Sequence, residues 1–292
     1  MKIVVGLPAY NEEMNIARII VQLKKITNTI IVCDDGSSDL TASIAEEVGA
    51  VVVRHPKNLG YGAAIKTIFL KAKEIDADIL VTFDADGQHN PKDIEKILEP
   101  IKDGKADIAI GSRFLNNSNK IPEYRKIGIK AITSLTNTST GSKITDAQSG
   151  FRAYNKKAIH EIHISDSGMG VSTEILIKAS KQKLVITEVP ITVLYDKDTS
   201  THHPVSHGSS VILSTLKFIS IENPLRFYGI PGIIFLVVGL TFMVWTLQEF
   251  SKSGEIITNL TLIGIGTIVL GTVLLITAVI LFSIISVVRE RS

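Results

Sequence analysis

The chain has 292 residues, of which 45% are hydrophobic and 21% are charged, and its formal net charge is +2. This balance lacks the basic excess of nucleic-acid-binding proteins, so no nucleic acid is expected as a partner. The single cysteine, Cys33, excludes an internal disulfide and a cysteine-rich metal site, and its apolar neighbours predict a core position. The mean hydropathy of +0.28 is high for a soluble domain and comes largely from the C-terminal end.

Apolar runs alternate with helical periodicities in the first half of the chain. Strands are predicted at 3–7, 29–33, 51–53, 79–83 and 107–110, with a helix after each of the first four. Asn11 and Asn90 are the predicted N-caps of the first and fourth helices. The stretch 116–141 is polar and less regular, and the run 185–194 contains Pro190, which predicts an edge or irregular strand. The alternation predicts a doubly wound α/β fold with a mostly parallel sheet flanked by helices.

Two carboxylates one residue apart, Asp84 and Asp86, follow the fourth predicted strand. Acids at the end of a buried strand are costly unless a positive group joins them. Mg²⁺ takes one or two protein carboxylates and fills its other positions with phosphate oxygens and water, and Gln88 offers a further oxygen. The pair therefore predicts a divalent metal that carries a diphosphate. The alternative is a pair of solvated turn residues.

Polar segments also follow three other predicted strands. Together with 84–88, the segments 8–12, 34–35 and 111–113 stand at carboxyl strand ends. Ligands of such sheets bind beyond these ends, so one shared site is predicted there.

Several weaker signals are interpreted conservatively. The glycines around Tyr61 form an incomplete dinucleotide fingerprint, and we reject NAD or FAD. The spacing of His202, His203 and His207 matches no zinc pattern, and the segment 196–208 is predicted to be a loop. Arg125 and Arg152 stand out in polar surroundings, although a lone arginine is often a solvated surface charge.

The C-terminal part has two long uncharged runs, at about 229–250 and 260–288, each long enough to span a bilayer. The alternative, a buried hairpin of a soluble protein, is disfavoured by their length. Basic residues flank the outer ends of the hairpin, whereas Lys252 is the only one in the turn at 251–259. The flanking residues are Lys217, Arg226, Arg289 and Arg291. The positive-inside rule then predicts a two-span protein of the cell membrane with both termini and the preceding domain in the cytoplasm.

Three regions follow from this pattern. Residues 1–208 form the predicted site-bearing domain, and residues 229–292 form the membrane hairpin. Between them, 209–228 includes an apolar helical face at 209–221 that suits an interfacial helix. The two spans have no ionisable residue near their centres, which disfavours a channel or a transporter.

Six short segments, in this order, resemble a known enzyme family. Residues 7–12 (LPAYNE), 34–41 (DDGSSDLT), 58–62 (NLGYG) and 84–88 (DADGQ) resemble family 2 glycosyltransferases. Residues 111–113 (GSR) and 149–154 (SGFRAY) resemble its dolichyl-phosphate mannose synthase branch, the polyprenyl-phosphate glycosyltransferases. The resemblance covers roughly residues 1–195, and the ordered set is more specific than any single motif.

The resemblance implies a GT-A-type fold and the inverting transfer of a hexose, an activity of protein glycosylation. It implies a nucleotide-sugar donor, GDP-mannose or UDP-glucose, and a polyprenyl (dolichyl) phosphate acceptor at the membrane. The implied cofactor is a divalent metal, Mg²⁺ or Mn²⁺. A homo-oligomer is left open.

The resemblance also assigns residues by motif. The implied nucleotide-sugar-binding residues are Pro8, Tyr10, Glu12, Asp34, Asp84, Ala85, Asp86 and Gln88. The implied metal site is Asp84, Asp86 and Gln88. The implied acceptor-phosphate residues are Arg113, Arg125 and Arg152, which together with Asp86 are the expected catalytic residues. The family usually has basic residues after the last core strand, but 196–208 has Lys197 and histidines and no arginine.

Two other functions are left open. A family 2 enzyme that acts on a glycan hydroxyl needs a carboxylate base, for which Glu174 is the candidate. A membrane-anchored subunit that binds a nucleotide sugar without turnover is the second alternative, and the intact acid pair disfavours it.

Overall fold

The structure is a computed structural model, and it describes residues 1–116, 121–193, 216, 220–221 and 223–290. The chain forms two compact units, residues 1–215 and residues 216–292. The predicted loop at 196–208 and most of the predicted interfacial helix at 209–221 lie outside the described residues. Both therefore stay predictions.

The first unit contains a sheet of seven strands. The strands are β1 Ile3–Ala9, β2 Thr29–Asp34, β3 Val51–Arg54, β4 Ile79–Thr82, β5 Ile108–Ser112, β6 Arg152–Asn155 and β7 Ile186–Pro190. Their order is β3-β2-β1-β4-β6-β5-β7. All pairings are parallel except those of β6, which is antiparallel to both β4 and β5. The sheet is thus mostly parallel, as predicted, and β7 lies at its edge.

Helices cover both faces of the sheet. They are α1 Glu13–Leu23, α2 Thr41–Glu47, α3 Tyr61–Glu74, α4 Ile94–Lys102, α5 Glu123–Thr140, α6 Lys156–Glu161 and α7 Val171–Lys181. Successive strand residues point to opposite faces. Val4 of β1 therefore belongs to the core layer of Ile68 in α3, whereas Val5 belongs to the layer of Ile16 in α1.

Strand β6 was not predicted from the sequence. Its four residues have neither the length nor the apolar content of a typical buried strand, yet it lies in the middle of the sheet. Ala153 lies opposite Val81 of β4 and Ala109 of β5. Pairing on both sides therefore overrides a weak local preference.

Helix α5 corrects the interpretation of 116–141 as an irregular stretch. Its hydrophobic pattern is mixed, because Thr133 and Thr136 are buried with Ile132 whereas Ile127 and Leu135 are exposed. The Thr136 hydroxyl is satisfied within the helix by donating to the carbonyl oxygen of Ile132 at 2.8 Å. No broad apolar stripe faces the core, so a search for helical periodicity does not detect this helix.

Of the two predicted N-cap residues, Asn90 caps a helical segment and Asn11 does not. Asn11 has a φ of 56° and its side chain accepts from the Ser38 backbone N–H at 2.9 Å, so it shapes the turn after β1 and does not cap α1. Asn90 does cap, because it accepts from the Lys92 backbone N–H at 3.1 Å. The turn that it starts is a short 3₁₀ segment, Pro91–Asp93, which leads into α4.

The second unit is a hairpin of two apolar helices, α8 Ile230–Ser253 and α9 Thr258–Glu290, after a π-helical turn at Leu225–Gly229. Two helical stretches are long and apolar enough to cross a membrane, Leu225–Ser253 and Thr258–Val287. Many of their large side chains point outward, as is typical of a surface that faces lipid. The two apolar C-terminal helices that the sequence predicted are therefore confirmed.

Glycines at seven-residue intervals let these helices approach closely. Gly232 and Gly239 of α8 face Gly271 and Gly264 of α9. A Cβ atom on Gly271 would lie 2.8 Å from both the Gly232 carbonyl oxygen and the Leu236 amide nitrogen. Apolar side chains gain little by leaving lipid, so such close backbone packing is what holds a membrane hairpin together.

We expect Gly271→Leu to separate the helices and to destabilise the hairpin by about 2 kcal/mol, the usual cost of overpacking. The only tryptophan of the chain, Trp245, lies in α8, so its fluorescence reports the change during an SDS titration. Gly266→Leu is the matched control, because a Cβ at Gly266 meets nothing within 4 Å among the described residues. Equal losses in both variants would contradict the proposed close packing.

Candidate functional site

The carboxyl ends of β1, β2, β4 and β5 lie at one edge of the sheet. β1, β2 and β4 are parallel, and β5 shares their direction because β6 is antiparallel to both β4 and β5. The polar segments 8–12, 34–35, 84–88 and 111–113 therefore share this edge, as the sequence predicted. This edge is the candidate site.

Asp84 is held from two sides. The Tyr61 hydroxyl donates to its Oδ1 at 2.9 Å, and His89 Nε2 lies 3.3 Å from its Oδ2. Burial acts to raise the pKa of Asp84. The hydrogen bonds from His89 and Tyr61 and the charge of Arg113 outweigh burial and hold this pKa below its usual value. Asp84 is therefore a fixed anion.

Asp86 and Glu12 show the opposite shift. Burial, followed by the charge of Asp84, raises the pKa of Asp86 to about 6. Burial also raises the pKa of Glu12 to about 7, and the charge of Asp86 adds to this effect. Buried carboxyl groups whose pKa is also raised by neighbouring carboxylates form a patch that a cation would stabilise.

The oxygen donors at this edge fit a hard divalent cation that arrives with phosphate oxygens. Among the described residues, no group of three or more His, Cys, Asp or Glu side chains is arranged to hold a metal alone. Mg²⁺ bound to a diphosphate needs only one or two protein carboxylates. Asp84 and Asp86 could provide these, and Gln88 could add an amide oxygen. The Gln88 backbone N–H also donates to Asp86 Oδ1 at 3.0 Å, which keeps the turn tight.

Arg113 is bound by Asp146, a residue that the sequence interpretation did not assign. Its Nε and Nη2 donate to the two carboxylate oxygens, each at 2.7 Å, and its backbone N–H donates to Oδ2 at 3.1 Å. Burial acts to raise the pKa of Asp146, but the charge and hydrogen bonds of Arg113 hold it below its usual value. The bidentate pair fixes the guanidinium while the Arg113 side chain stays 17% exposed.

Arg125 lies on the first turn of α5 and is partly exposed. Its charge acts to lower the pKa of Asp86. A shared cleft that holds Arg113, Arg125 and the two acids stays a prediction.

Arg152 is placed differently from the prediction of an open phosphate-binding group. It is 1% exposed, and its guanidinium donates to the carbonyl oxygens of Ala147 at 2.8 Å, Ser149 at 2.8 Å and Ser172 at 3.1 Å. Arg152 is buried because it is the first residue of β6 and its side chain extends beneath the loop that carries Asp146. In this arrangement Arg152 anchors that loop to the start of α7.

Asp34 is the last residue of β2 and is fully buried, and its carboxylate contacts the loop that follows the strand. Its Oδ1 accepts from the Ser37 backbone N–H at 3.2 Å, and its Oδ2 lies 3.1 Å from Arg54 Nε. The Arg54 contact is an ion pair without hydrogen-bond geometry, since Oδ2 has no hydrogen-bond partner among the described residues. Arg54 also donates to the Ser37 carbonyl oxygen at 2.8 Å, which closes the loop. A contact between Asp34 and a nucleoside stays a prediction.

The next acid, Asp35, organises a buried cluster beneath this loop. It accepts from the backbone N–H groups of Leu59 at 2.9 Å and Gly60 at 2.8 Å, and His55 Nδ1 lies 2.7 Å from its Oδ1. The other ring nitrogen of His55 lies 3.5 Å from Cys33 Sγ. These contacts tie the segment before α3 to the end of β2.

We expect Cys33 to be inert in the native protein. The residue is fully buried, and burial raises the pKa of its thiol to about 12. Because the thiolate is the reactive form, dithionitrobenzoate at about pH 8 should release no thiolate dye from native protein. Denatured protein should release one equivalent, since the chain has one cysteine. Rapid release from native protein would show that the cluster opens in solution.

The remaining residues assigned to the nucleotide sugar lie along the same edge. Pro8 is buried within β1, Tyr10 follows that strand and is partly exposed, and Ala85 is buried between the two acids. Their contact with a nucleotide stays a prediction.

Three residues around Asp84 were missed by the sequence interpretation. Tyr61 and His89 hold its carboxylate, and Gly150 lets a distant loop approach it. A Cβ atom on Gly150 would lie 2.4 Å from the Tyr61 hydroxyl and 2.7 Å from Asp84 Oδ2. Tyr61 and Gly150 both stand within the motif segments, so a signal was present. Their meeting at Asp84, however, depends on segments far apart in the chain.

Glu174 is fully buried and is used as an anchor. It accepts from the backbone N–H groups of Ser165 and Asp166, each at 2.8 Å, and pairs with Lys178 at 2.7 Å. Its carboxylate therefore holds the loop that precedes α7.

Comparison with known proteins agrees with this arrangement. The glycosyl transferase family 2 model matches residues 4–163. The UDP-N-acetylglucosamine–dolichyl-phosphate N-acetylglucosaminyltransferase of Methanococcus voltae is 34% identical over 229 residues, which cover 71% of this chain and 89% of that protein. The dolichol-phosphate mannosyltransferase of Pyrococcus furiosus is 36% identical over 204 residues, 66% of this chain and 56% of that protein. The predicted resemblance to this branch is confirmed.

Solved structures support the fold. Glucosyl-3-phosphoglycerate synthase from Mycobacterium tuberculosis, crystallised with Mn²⁺, UDP and glucosyl-3-phosphoglycerate, superimposes with a TM-score of 0.58 at 21% identity. The match covers 74% of this chain and 79% of that one. At this identity the likeness concerns the fold alone, and it confirms the predicted GT-A-type architecture.

Proposed function

Because the chain belongs to glycosyl transferase family 2, we propose that it transfers a hexose from a nucleoside-diphosphate sugar to a polyprenyl (dolichyl) phosphate, with inversion at the anomeric carbon. Relatives named as dolichyl-phosphate sugar transferases support this acceptor. The relatives differ in their named sugar, so GDP-mannose and UDP-glucose both stay candidate donors.

One observation carries the proposal, the placement of opposite charges at a single edge of the sheet. The charge of Arg113 acts on the pKa of Asp84, and the charge of Arg125 acts on that of Asp86. Asp84 and Asp86 follow β4 and Arg113 follows β5, and these two strands end at the same edge with only β6 between them. A cation on the acids and a phosphate on the arginines can then lie side by side without repulsion.

Asp84, Asp86 and Gln88 would hold the divalent cation, Mg²⁺ or Mn²⁺, which would neutralise charge on the leaving nucleoside diphosphate. The rest of the donor pocket is proposed to consist of Pro8, Tyr10, Glu12, Asp34 and Ala85. Tyr61 and His89 keep Asp84 ionised and fixed in direction.

The proposed nucleophile is a phosphate oxygen of the acceptor lipid. A phosphate monoester is largely ionised at neutral pH because its second pKa is about 6, so the reaction needs no strong base. It needs orientation, and guanidinium groups provide it by binding phosphate in a bidentate manner without losing their charge. Arg113 and Arg125 are the proposed contacts. For Arg152 a direct contact stays a sequence-based prediction, since carbonyl oxygens occupy its guanidinium.

The apolar hairpin is proposed to anchor the protein in the cell membrane. Its helices are joined by a short turn after Ser253, so both ends of the hairpin lie on one side of the bilayer. The basic residues flank these ends and support a cytoplasmic location for the termini and the catalytic unit.

The two alternatives have less support. Transfer to a glycan hydroxyl would require a general base, and Glu174 is engaged by Ser165, Asp166 and Lys178. A subunit without turnover would have no need for the paired acids and arginines at one edge.

The test is a donor screen with purified full-length protein, a short polyprenyl phosphate and labelled GDP-mannose, UDP-glucose or UDP-N-acetylglucosamine. We expect one donor to yield a lipid-phosphate sugar in the presence of Mg²⁺ or Mn²⁺. Transfer to a glycan with no product on polyprenyl phosphate would replace the proposal by the first alternative. Donor binding without any product would favour the second.

A further inference from the structure

Glu188 is a partly buried acid of the edge strand β7 that the proposed function does not use. Its Oε2 accepts from the Thr145 backbone N–H at 2.8 Å, and its Oε1 accepts from the Asp146 backbone N–H at 2.9 Å. The Thr145 hydroxyl also donates to Oε1, at 3.0 Å. One carboxylate thus accepts three hydrogen bonds from two consecutive residues, which lie 43 and 42 positions earlier in the chain.

These contacts reach Arg113 by two routes, and the first leads through Asp146. The Asp146 carboxylate accepts from Nε and Nη2 of Arg113, each at 2.7 Å. Because Glu188 binds the backbone N–H of the same residue, the main chain beneath this carboxylate is fixed. Glu188 therefore holds the group that orients the guanidinium.

The second route is a chain of hydroxyl groups. Ser112 Oγ lies 2.7 Å from Thr145 Oγ1 and accepts from the Phe114 backbone N–H at 3.2 Å. An ionised carboxylate only accepts, so Thr145 must give its one hydroxyl proton to Glu188. The Thr145 oxygen then accepts from Ser112. The charge of Glu188 thus sets the direction of a hydrogen-bond chain that holds the neighbours of Arg113 on both sides.

Fold stability alone does not account for this acid. Burial raises the pKa of Glu188 and outweighs the hydrogen bonds from Thr145 and Asp146, and the charge of Asp146 adds to the rise. A raised carboxyl pKa means that the ionised form is less favourable in the folded protein than in the unfolded chain. Above this pKa the charge therefore lowers the free energy of unfolding. Acids in such surroundings are typical of functional sites.

We propose that Glu188 is a positioning residue that fixes the direction of the Arg113 guanidinium for the acceptor phosphate. The inference rests on the proposed function in so far as Arg113 contacts that phosphate. Glu188 itself touches neither substrate and acts through the loop that carries Asp146. Arg152 anchors the following part of this loop, so the two residues hold it at different points.

The variant Glu188→Gln tests the inference in the full-length protein. Glutamine retains the shape of the side chain, but its amide nitrogen cannot accept from a backbone N–H. The KM for polyprenyl phosphate should rise about fivefold, the change expected when roughly one hydrogen bond is lost. The KM for the nucleotide sugar and the melting temperature should stay close to those of the wild type.

Asp107→Asn is the matched control. Asp107 is also partly buried and also accepts from a backbone N–H, that of Val185 at 2.8 Å, but it precedes β5 and so lies at the opposite edge of the sheet. Both KM values should be unchanged in this variant. An equal rise of both KM values in Glu188→Gln, or the same rise for the acceptor in Asp107→Asn, would overturn the proposal, because the role would then be generally structural.

Thr145→Val provides a second variant in case Glu188→Gln does not fold. Valine removes the hydroxyl route and leaves the backbone hydrogen bonds to Glu188 in place. The acceptor KM should rise in the same direction, by about twofold, since one of the two routes to Arg113 remains. An acceptor KM that is unchanged in Thr145→Val would overturn the proposal.

A double-mutant cycle shows whether Glu188 acts through Arg113. Effects of residues that act through one another are not additive. In protein that carries Arg113→Lys, which retains a charge but cannot form the bidentate pair with Asp146, Glu188→Gln should cause no further rise of the acceptor KM. A full, additive rise would overturn the proposal.

A measurement without turnover separates this inference from the proposed function. In protein with ¹⁵N-labelled arginine, the Nε–H resonance of Arg113 is identified by its loss in Arg113→Lys. Its exchange with water should be about fivefold faster in Glu188→Gln and unchanged in Asp107→Asn. Equal exchange in the wild type and Glu188→Gln would overturn the inference. A wild-type protein that transfers no sugar would refute the proposed function alone, because the exchange rates still decide whether Glu188 holds Arg113.

Discussion

Asp86→Asn is expected to lower sugar transfer by roughly a hundredfold to a thousandfold while the fold stays intact. The variant removes one of the two carboxylates that would hold the cation, and an amide oxygen carries no charge to replace it. Folding should not suffer, because burial and the charge of Asp84 already disfavour an ionised Asp86 and raise its pKa to about 6. Above that pH the native carboxylate is a destabilising charge, so asparagine should leave the melting temperature unchanged or slightly higher.

The measurement combines initial rates with thermal unfolding in the presence of Mn²⁺ and nucleoside diphosphate. Ligand binding to the native state raises the melting temperature of the wild type, and this rise should be lost in the variant. Asp103→Asn is the control, because Asp103 is an exposed acid that pairs with Lys105 at 2.7 Å. Turnover near the wild-type level with Mg²⁺ in Asp86→Asn would refute the role of Asp86 in metal binding.

Arg152→Ala should have the largest effect on stability, about 3 kcal/mol or more, because three buried carbonyl oxygens lose their donor and each costs about 1–3 kcal/mol. The melting temperature should then fall by roughly 10 °C. The loop that it anchors carries Asp146, which orients Arg113, and Gly150, which meets Asp84. We therefore expect donor and acceptor use to decline together.

Arg152→Lys retains the charge but cannot reach all three carbonyl oxygens, so an intermediate loss of stability is expected. Kinetics with the nucleotide sugar and the polyprenyl phosphate varied separately distinguish an anchor from a phosphate ligand. A raised KM for the acceptor alone, at unchanged melting temperature, would instead support the sequence-based assignment of Arg152 to the acceptor phosphate.

Arg113 and Arg152 show that a sequence motif can identify two arginines without predicting their different surroundings in the fold. Both stand in motif segments, and both were assigned to the acceptor phosphate. Only the folded chain separates them, because Arg113 is held by Asp146 at a partly exposed edge whereas Arg152 is enclosed by backbone carbonyl oxygens. The difference arises from the direction of β6, a strand with no local signal of its own.

Helix α5 is another element that the sequence pattern did not predict. Ile127 and Leu135 are exposed, whereas Thr133 and Thr136 are buried beside Ile132, so a test for a broad core-facing apolar stripe has little to detect. The position of Asn11 is a further case, since its left-handed backbone depends on Ser38 from another loop.

Local sequence patterns were sufficient to predict four features. These are the alternation of strands and helices, the acid pair after β4, the polar ends of four strands and the apolar hairpin. Each of these depends on residues that are neighbours in the chain, where periodicity and length reflect burial directly. The interior place of β6, the mixed burial pattern of helix α5, the Arg113–Asp146 pair and the approach of Gly150 to Asp84 required the tertiary structure. They depend on contacts between segments far apart in sequence, whose energies no local window of residues contains.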